Sequence, residues 1–182
     1  PLRCTYCDTK YSYSGGSLMT IGELVTKAIE SDSEWVMLTG GEPLAHKNIL
    51  DLVYALRKVG KKISIETDGE EDVSSFVGLA KIIMDIKTPG SGEQAMRCFS
   101  NLELLSGEDE IKFVICNREE FEWSVKICKQ FNLTEKFTVL FSPVAPDVKY
   151  NELASWILSE KINARFQVQL HKVIWTEKEK GF

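Results

Sequence analysis

Apolar and polar residues alternate along the chain in short blocks, and most apolar blocks end in glycine, proline or charged residues. Short blocks rich in isoleucine and valine are typical of strands. Consecutive apolar positions, as in Ile82-Ile83-Met84, favour strands that are covered on both faces of a parallel sheet. The pattern predicts six strands: Trp35–Leu38, Lys62–Glu66, Lys81–Ile86, Ile111–Cys116, Phe137–Phe141 and Arg165–Leu170.

Between these blocks lie amphipathic stretches with apolar residues at i, i+3, i+4 and i+7, which predict helices. The first opens with Thr20 and carries Glu23 three residues later, the pattern of a capping box. The segment Asp68–Gly78 is acidic and contains glycines, so we expect a short helix there or none. The predicted helices are Ile21–Glu30, Asn48–Val59, Gly92–Leu105, Glu119–Phe131 and Tyr150–Lys161.

Strands that alternate with helices predict βα units and a parallel sheet. Six strands and about five helices are too few for an eight-fold barrel, so we expect an incomplete, open parallel (βα) barrel of the α/β class. The 182 residues suit a single domain, 1–182, and 43% apolar residues suffice for a core.

Charge and cysteine content exclude several classes of function. The net charge of −5 argues against a nucleic-acid-binding protein with a basic face. No apolar stretch approaches the roughly 18 residues of a membrane span. Five cysteines, an odd number, without the features of a signal peptide predict a reducing compartment and hence a cytoplasmic protein.

Two motifs carry candidate chemistry. Cys4-Thr5-Tyr6-Cys7 is a C-x-x-C pair, which alone fits half of a zinc site, a redox pair or part of an iron–sulfur site. Two sulfurs cannot hold four irons, so a cluster needs a further ligand. The second motif, Gly40-Gly41-Glu42-Pro43, follows a predicted strand, where ligands of α/β folds bind and where glycines let a ligand approach the backbone.

Together these motifs resemble the radical S-adenosylmethionine (SAM) superfamily. Cys4 and Cys7 match the second and third cysteines of its C-x-x-x-C-x-x-C motif, Tyr6 the aromatic before the last cysteine, and Gly40–Pro43 its Gly-Gly-Glu-Pro motif. The resemblance implies a [4Fe–4S] cluster held by three cysteines, with SAM on the fourth iron. The first cysteine would precede Pro1, and we expect the first strand of the barrel to precede it too.

More specific segments resemble the 7-carboxy-7-deazaguanine synthase family within that superfamily. They are Cys7-Asp8-Thr9, Leu38–Leu44, Glu66-Thr67, Asp85–Pro89, Phe141–Val144 and Phe166–Trp175, with Gln169-Leu170-His171-Lys172 inside the last. This resemblance implies a lyase of queuosine and deazapurine biosynthesis that converts 6-carboxy-5,6,7,8-tetrahydropterin to 7-carboxy-7-deazaguanine with loss of ammonia. It also implies Mg²⁺, a small reductant such as flavodoxin or ferredoxin, and a homodimer.

The same resemblance implies roles for individual residues. Cys4 and Cys7 would bind the cluster, Thr9 would bind Mg²⁺, and Thr39 and His171 would meet the pterin. His46 matches no motif, and we expect Cys98, Cys116 and Cys128 to be buried, inert thiols. The positions implied to bind SAM are Tyr6, Asp8, Gly40, Gly41, Glu42, Glu66, Asp85, Ile86, Lys87, Phe141, Ser142 and Pro143.

Two alternatives remain open at this point. Another radical SAM enzyme, such as a glycyl-radical activating enzyme, shares the cysteine and Gly-Gly-Glu motifs but lacks the Cys-Asp-Thr and Gln-Leu-His-Lys segments. A truncated homologue that keeps the α/β scaffold without a cluster is the second alternative. A cysteine immediately before Pro1 in the coding sequence would favour an enzyme.

Overall fold

Six parallel strands form one open sheet in the computed structural model, which describes residues 2–7, 9–93, 98–144 and 147–174. The strands lie in chain order, and each pairs with the next. The open parallel sheet of the α/β class is therefore confirmed. The strands are β1 (Trp35–Leu38), β2 (Lys62–Thr67), β3 (Lys81–Asp85), β4 (Glu110–Ile115), β5 (Thr138–Pro143) and β6 (Arg165–Phe166).

Helices precede, connect and follow the strands, except that the connection from β2 to β3 holds only the 3-10 turn Ser74–Phe76, as expected for this segment. The capping box at the first of them is confirmed: Thr20 Oγ1 accepts from Glu23 N at 3.2 Å, and Glu23 Oε2 accepts from Thr20 N at 2.7 Å. In the part of the chain that the structure describes, no helix is both long and apolar enough to span a membrane. The helices are α1 (Ile21–Glu30), α2 (Ile49–Lys58), α3 (Cys98–Asn101), α4 (Arg118–Phe131), α5 (Leu133–Lys136), α6 (Tyr150–Glu160) and α7 (Leu170–Ile174).

Two predicted elements differ from the structure. The helix predicted for Gly92–Leu105 is wrong at both ends, because Gly92 has a left-handed φ of 73° and the described helical part is Cys98–Asn101 alone. The strand predicted for Arg165–Leu170 ends at Phe166, and Leu170 begins α7 instead. A short apolar run does not by itself distinguish a strand from a helix.

The hydrophobic core lies between the sheet and the helices. Alternate residues of the strands point to this side, which we call the helix face. Phe141 of β5 illustrates it: its ring centroid lies 5.6 Å from that of Phe113 and 5.2 Å from that of Phe121 on α4. The strand residues of the helix face are Ile63, Ile65, Ile82, Met84, Ile111, Phe113, Ile115, Val139 and Phe141.

The other strand positions point away from the helices and form what we call the opposite face. Their side chains lie outside the main apolar cluster, and several are polar or charged. The charged side chains Glu66, Asp85 and Lys112 are mostly buried there. This face therefore combines low exposure with charge, which suits a ligand site better than a packing interface. Its residues on the central strands are Ser64, Glu66, Ile83, Asp85, Lys112, Val114, Leu140 and Ser142.

Candidate functional site

The cysteine loop, residues 2–7, lies against the turn that follows β3. Thr5 N donates to Ser91 O at 3.0 Å, and Thr5 Oγ1 donates to Gly90 O at 2.7 Å. Cys7 N donates to Cys4 O at 3.2 Å, so the two cysteines are the ends of one tight turn. The Cys4 side chain is buried and that of Cys7 is half-buried. The fold thus brings both thiols to the carboxyl edge of the sheet.

A mostly buried ion pair lies beside this loop. Lys87 Nζ and Asp85 Oδ2 are 2.9 Å apart, and each side chain is 14% exposed. Burial lowers the pKa of Lys87, but the Asp85 carboxylate more than offsets this and raises it overall. Burial raises the pKa of the Cys4 thiol, while the nearby Lys87 ammonium lowers it. The ammonium is thus the group nearby that favours a thiolate, the form in which cysteine binds iron.

Two polar groups here are available to a ligand, namely the second carboxylate oxygen of Asp85 and the hydroxyl of Tyr6. Asp85 Oδ1 is buried and has no hydrogen-bond partner among the residues that the structure describes. Tyr6 is also largely buried, and burial followed by the Asp85 charge raises the pKa of its phenol, so the hydroxyl stays protonated. An unpartnered buried carboxylate oxygen is costly unless a donor reaches it, so Asp85 points to a ligand that brings one.

A second ion pair on the opposite face joins β2 to β4, the two strands that flank β3. Lys112 Nζ lies 3.3 Å from Glu66 Oε2, with the two side chains 17% and 27% exposed. In the register of the sheet, Asp85 pairs directly with Lys112. The two ion pairs therefore form a continuous charged strip across β2, β3 and β4.

The glycine loop after β1 exposes its backbone. Gly40 has a φ of 136°, a conformation that side-chain-bearing residues rarely adopt. A methyl group at Gly40 or Gly41 would meet none of the described atoms within 4 Å. The peptide groups of this loop are thus open to a ligand that hydrogen-bonds to backbone.

Glu42 ties the glycine loop to β2. Its Oε2 accepts from Thr67 Oγ1 at 2.9 Å and from Asp68 N at 2.7 Å, and its Oε1 accepts from Leu44 N at 2.9 Å. The residue is 4% exposed, and burial raises the pKa of its carboxyl to about 7 against the opposing backbone hydrogen bonds. A carboxylate has about four acceptor positions, so three bonds leave about one for a ligand.

The structure fits part of the cofactor set that the sequence predicts. The open glycine loop, the free Asp85 oxygen and the charged strip offer donors and acceptors for a polar, zwitterionic molecule such as SAM. Cys4 and Cys7 offer two thiols of the three that the cluster requires. Within the described ranges, no group of three or more His, Cys, Asp or Glu side chains that could hold a metal ion occurs.

Other predicted site residues are spread over both faces. Thr39 is exposed at the end of β1, and Ser142 lies at the carboxyl end of β5 on the opposite face. Thr9 Oγ1 lies 3.5 Å from Cys7 Sγ. The side chains of Ile86 and Phe141 lie in the helix-face core. Pro143 follows Phe141 by two residues on β5 and so points to the same face. Ile86 and Phe141 would therefore line a ligand site through their backbone, and their predicted role stays a prediction.

Two predicted positions fall outside what the structure describes. Asp8 is outside the described residues, and so is the side chain of His171, whose backbone lies in the first turn of α7. Cys98 and Cys128 are 1% exposed, as predicted for buried thiols, and burial raises the pKa of each to about 12. Cys116 is only half-buried, so the prediction of a buried thiol is wrong there. Burial together with Glu120 raises its thiol pKa to about 12.

Sequence reasoning missed Thr5, Gly90 and Glu120. Thr5 stood in the motif only as a spacer, and Gly90 lies just beyond the segment Asp85–Pro89 that the resemblance singled out. Glu120 occupies the third position of α4 after the N-cap Asn117, where an acid has an ordinary capping explanation. Its burial at 5% exposure was the signal that only the fold could supply.

The family model of the Radical SAM superfamily matches residues 1–157. The structure is similar to that of SuiB from Streptococcus suis bound to S-adenosylmethionine, with a TM-score of 0.64 and 15% identity. That match covers 95% of this chain and 46% of the SuiB chain, so this chain spans about half of that structure. The chain belongs to the radical SAM superfamily.

Curated relatives narrow the assignment. The chain is 33% identical over 195 residues to the 7-carboxy-7-deazaguanine synthase of Koribacter versatilis, covering 99% of this chain and 86% of that protein. It is 38% identical over 177 residues to that of Methanospirillum hungatei, covering 95% and 72%. It is 32% identical over 181 residues to that of Chlorobaculum tepidum, covering 98% and 82%. Within the superfamily, the chain belongs to the 7-carboxy-7-deazaguanine synthase family.

Proposed function

We propose that the protein is a radical SAM lyase that converts 6-carboxy-5,6,7,8-tetrahydropterin to 7-carboxy-7-deazaguanine with loss of ammonia, in queuosine and 7-deazapurine biosynthesis. The observation that carries the proposal is the similarity to synthases of this name over nearly the whole chain. The geometry agrees with it, because the C-x-x-C loop, the glycine loop and the charged strip meet at one edge of the sheet.

Different residues of this chain would bind the cluster and SAM. Cys4 and Cys7 would bind two irons of a [4Fe–4S] cluster, and Lys87 would stabilise the thiolate of Cys4. The cluster with SAM supplies one-electron reductive cleavage of SAM, and hence a radical that removes hydrogen from the substrate. The backbone of Gly40 and Gly41 would bind the methionyl end of SAM, with Glu42 keeping that loop in place.

The charged strip would orient the remaining polar groups. Glu66 would accept from the ribose hydroxyls, because its carboxylate lies at the end of β2 and is only partly engaged by Lys112. Asp85 Oδ1 would accept a hydrogen bond from bound ligand, and Ser142 would lie against the adenine. Thr39 and His171 would contact the pterin, and Thr9 would contribute an oxygen to Mg²⁺, which prefers oxygen ligands.

The partners and location complete the proposal. A small flavodoxin or ferredoxin would supply the electron, the protein would act as a homodimer, and it would be cytoplasmic. The support for the location is compositional, since five free cysteines suit a reducing environment.

The decisive experiment is product formation under anaerobic conditions. The full-length protein, reconstituted with iron and sulfide, is incubated with SAM, a reductant and 6-carboxytetrahydropterin, and 7-carboxy-7-deazaguanine and ammonia are quantified. Cys7→Ser should lose both the cluster and the product. Cys128→Ala, which changes a thiol in α4 remote from the loop, should keep the cluster. An intact cluster that binds SAM but yields no deazaguanine would refute the proposal and favour another radical SAM reaction.

A further inference from the structure

Glu120 is a buried carboxylate that the proposed chemistry does not use. Its Oε1 accepts from Gly90 N in the turn after β3, and its Oε2 accepts from Cys116 N at 3.0 Å after β4. Glu120 N is in turn bound by the N-cap side chain of Asn117 at 2.9 Å. The carboxylate thus joins the start of α4 to two loops at the carboxyl edge of the sheet.

The turn that Glu120 holds is the one on which the cysteine loop rests. It is a short 3-10 turn, Pro89–Ser91, closed by bonds from Ser91 N and Ser91 Oγ to Thr88 O at 3.0 and 2.7 Å. Two consecutive carbonyls of this turn, those of Gly90 and Ser91, accept from the hydroxyl and the N–H of Thr5. Thr5 is the residue directly after Cys4, so the position of the turn determines the position of that thiol.

The contact between Glu120 and the turn has no spare room. A methyl group at Gly90 would overlap the Glu120 carboxylate. Thr88 and Ser91 on either side are fully buried. A tightly packed, fully bonded carboxylate transmits a displacement to its partners, because neither partner can relax independently.

We infer that Glu120 is a positioning residue for the C-x-x-C loop: it fixes the Pro89–Ser91 turn, and the turn fixes Thr5 and with it Cys4. The inference rests on the proposed function in one respect, namely that this loop binds the cluster. Glu120 acts through Gly90 and Thr5 and has no direct contact with a cofactor in this role.

The substitution Glu120→Gln tests the first step. Both carboxylate oxygens accept from backbone N–H groups, and an amide has only one acceptor oxygen. Its NH₂ group would face the N–H of Gly90 or Cys116, and one bond would be lost. Glu119→Gln is the matched control, since Glu119 is the adjacent residue of α4 and is exposed.

The readout that needs no cluster is amide hydrogen exchange in the iron-free protein. We expect the Thr5 amide to exchange about tenfold faster in Glu120→Gln than in the parent, the effect of one lost hydrogen bond to a charged group, and to be unchanged in Glu119→Gln. Unchanged Thr5 exchange in both Glu120→Gln and Glu120→Ala, which loses both carboxylate bonds, would overturn the inference. Product formation by the parent protein is a separate measurement, so failure of the proposed function is recognised independently.

The Thr5 side chain tests the second step and leaves α4 intact, which covers the case in which Glu120→Gln does not fold. Thr5→Val loses the hydroxyl bond to Gly90, whereas Thr5→Ser keeps it. In the reconstituted protein we expect a chelator to remove iron several-fold faster from Thr5→Val and at the parent rate from Thr5→Ser. Equal rates for all three proteins would overturn the inference. The inference would also be overturned if the effects of Glu120→Gln and Thr5→Val on the iron-removal rate were fully additive in the double variant. Two residues that act through the same contact give non-additive effects.

Discussion

The Thr67 hydroxyl donates a 2.9 Å hydrogen bond to Glu42 Oε2 and so connects the loop after β1 to the end of β2. Gly69 N donates to Thr67 Oγ1 at 3.1 Å, which directs the hydroxyl proton towards Glu42. Thr67 is 2% exposed, so water cannot replace this bond. The glycine loop is therefore held by side chains of two different strand ends.

Thr67→Val removes this bond while keeping the shape of the side chain. Above pH 7, where Glu42 is ionised, a lost hydrogen bond to a charged group costs about 1.5–3 kcal/mol, so we expect the free energy of unfolding to fall by about that amount. The dissociation constant of SAM should rise, because the glycine loop loses one of its attachments. Denaturant unfolding and equilibrium binding measure the two effects. Thr67→Ser should resemble the parent, and a valine variant with parental stability would contradict the assigned bond.

Glu42 makes stability depend on pH in an unusual direction for a carboxyl group. Burial raises its pKa from 4.5 to about 7, so the folded protein keeps a proton that the unfolded chain releases. Stability therefore falls as the pH rises from about 4.5 to about 7. In Glu42→Gln this component is absent, so its free energy of unfolding should gain on that of the parent by up to about 3 kcal/mol over this window. Parallel stability profiles for the two proteins would contradict the raised pKa.

Asp85→Asn leaves the mostly buried Lys87 ammonium without its counter-charge. Because each side chain keeps 14% exposure, we expect a cost of about 2 kcal/mol, below the value for a fully buried pair. The double variant Asp85→Asn/Lys87→Met should recover part of this loss, since it removes the unpaired charge. Thermal unfolding of the parent, the single and the double variant decides the point. A double variant less stable than Asp85→Asn would show that the pair is not coupled.

Phe141→Leu distinguishes the two faces of β5. The ring packs against Phe113 and Phe121 in the helix-face core, so its truncation should lower the free energy of unfolding by about 1–2 kcal/mol. The SAM affinity of the folded variant should stay that of the parent. Weaker SAM binding with unchanged stability would instead favour a side chain that flanks the adenine directly.

Gly69→Ala and Gly78→Ala form a matched pair. Both glycines have a left-handed backbone, with φ of 77° and 74°, so both variants bear the conformational cost of about 1 kcal/mol. A methyl group at Gly69 would also lie 2.7 Å from Cys98 Cβ and 2.9 Å from Met84 Sδ, whereas none of the described atoms lies within 4 Å at Gly78. We expect Gly69→Ala to be clearly the less stable variant by chemical denaturation. Equal losses would mean that the contact with Cys98 relaxes without cost.

The sequence predicted the elements whose signals are local. The capping box at Thr20 marks the start of α1 and the apolar run Trp35–Leu38 marks β1, as expected, because caps and short apolar runs act within a few residues. The strand prediction after Phe166 was wrong because Leu170, Val173 and Ile174 also satisfy helical spacing. No local signal there decides between the period of a strand and that of a helix.

The candidate site was predictable only in outline. Rules about strand ends correctly bring Glu42, Asp85 and Lys87 to one edge of the sheet. Sequence reasoning assigned roles to Ile86 and Phe141 from their position at strand ends alone, whereas the face on which each side chain lies follows from packing against the helices. The contact of Glu120 with Gly90 spans thirty residues of chain and depends wholly on packing.

The alternation of β3 has a consequence for how this protein can change. Ile82, Met84 and Ile86 pack in the core, while Asp85 and Lys87 belong to the charged strip. Neighbouring residues therefore contribute separately to stability and to ligand binding. Along β3 and the two residues after it, we expect substitutions of Ile82, Met84 and Ile86 to impair folding. Substitutions of Asp85 and Lys87 should instead alter ligand binding. The charged strip can thus change in evolution or be redesigned without rebuilding the core that supports it.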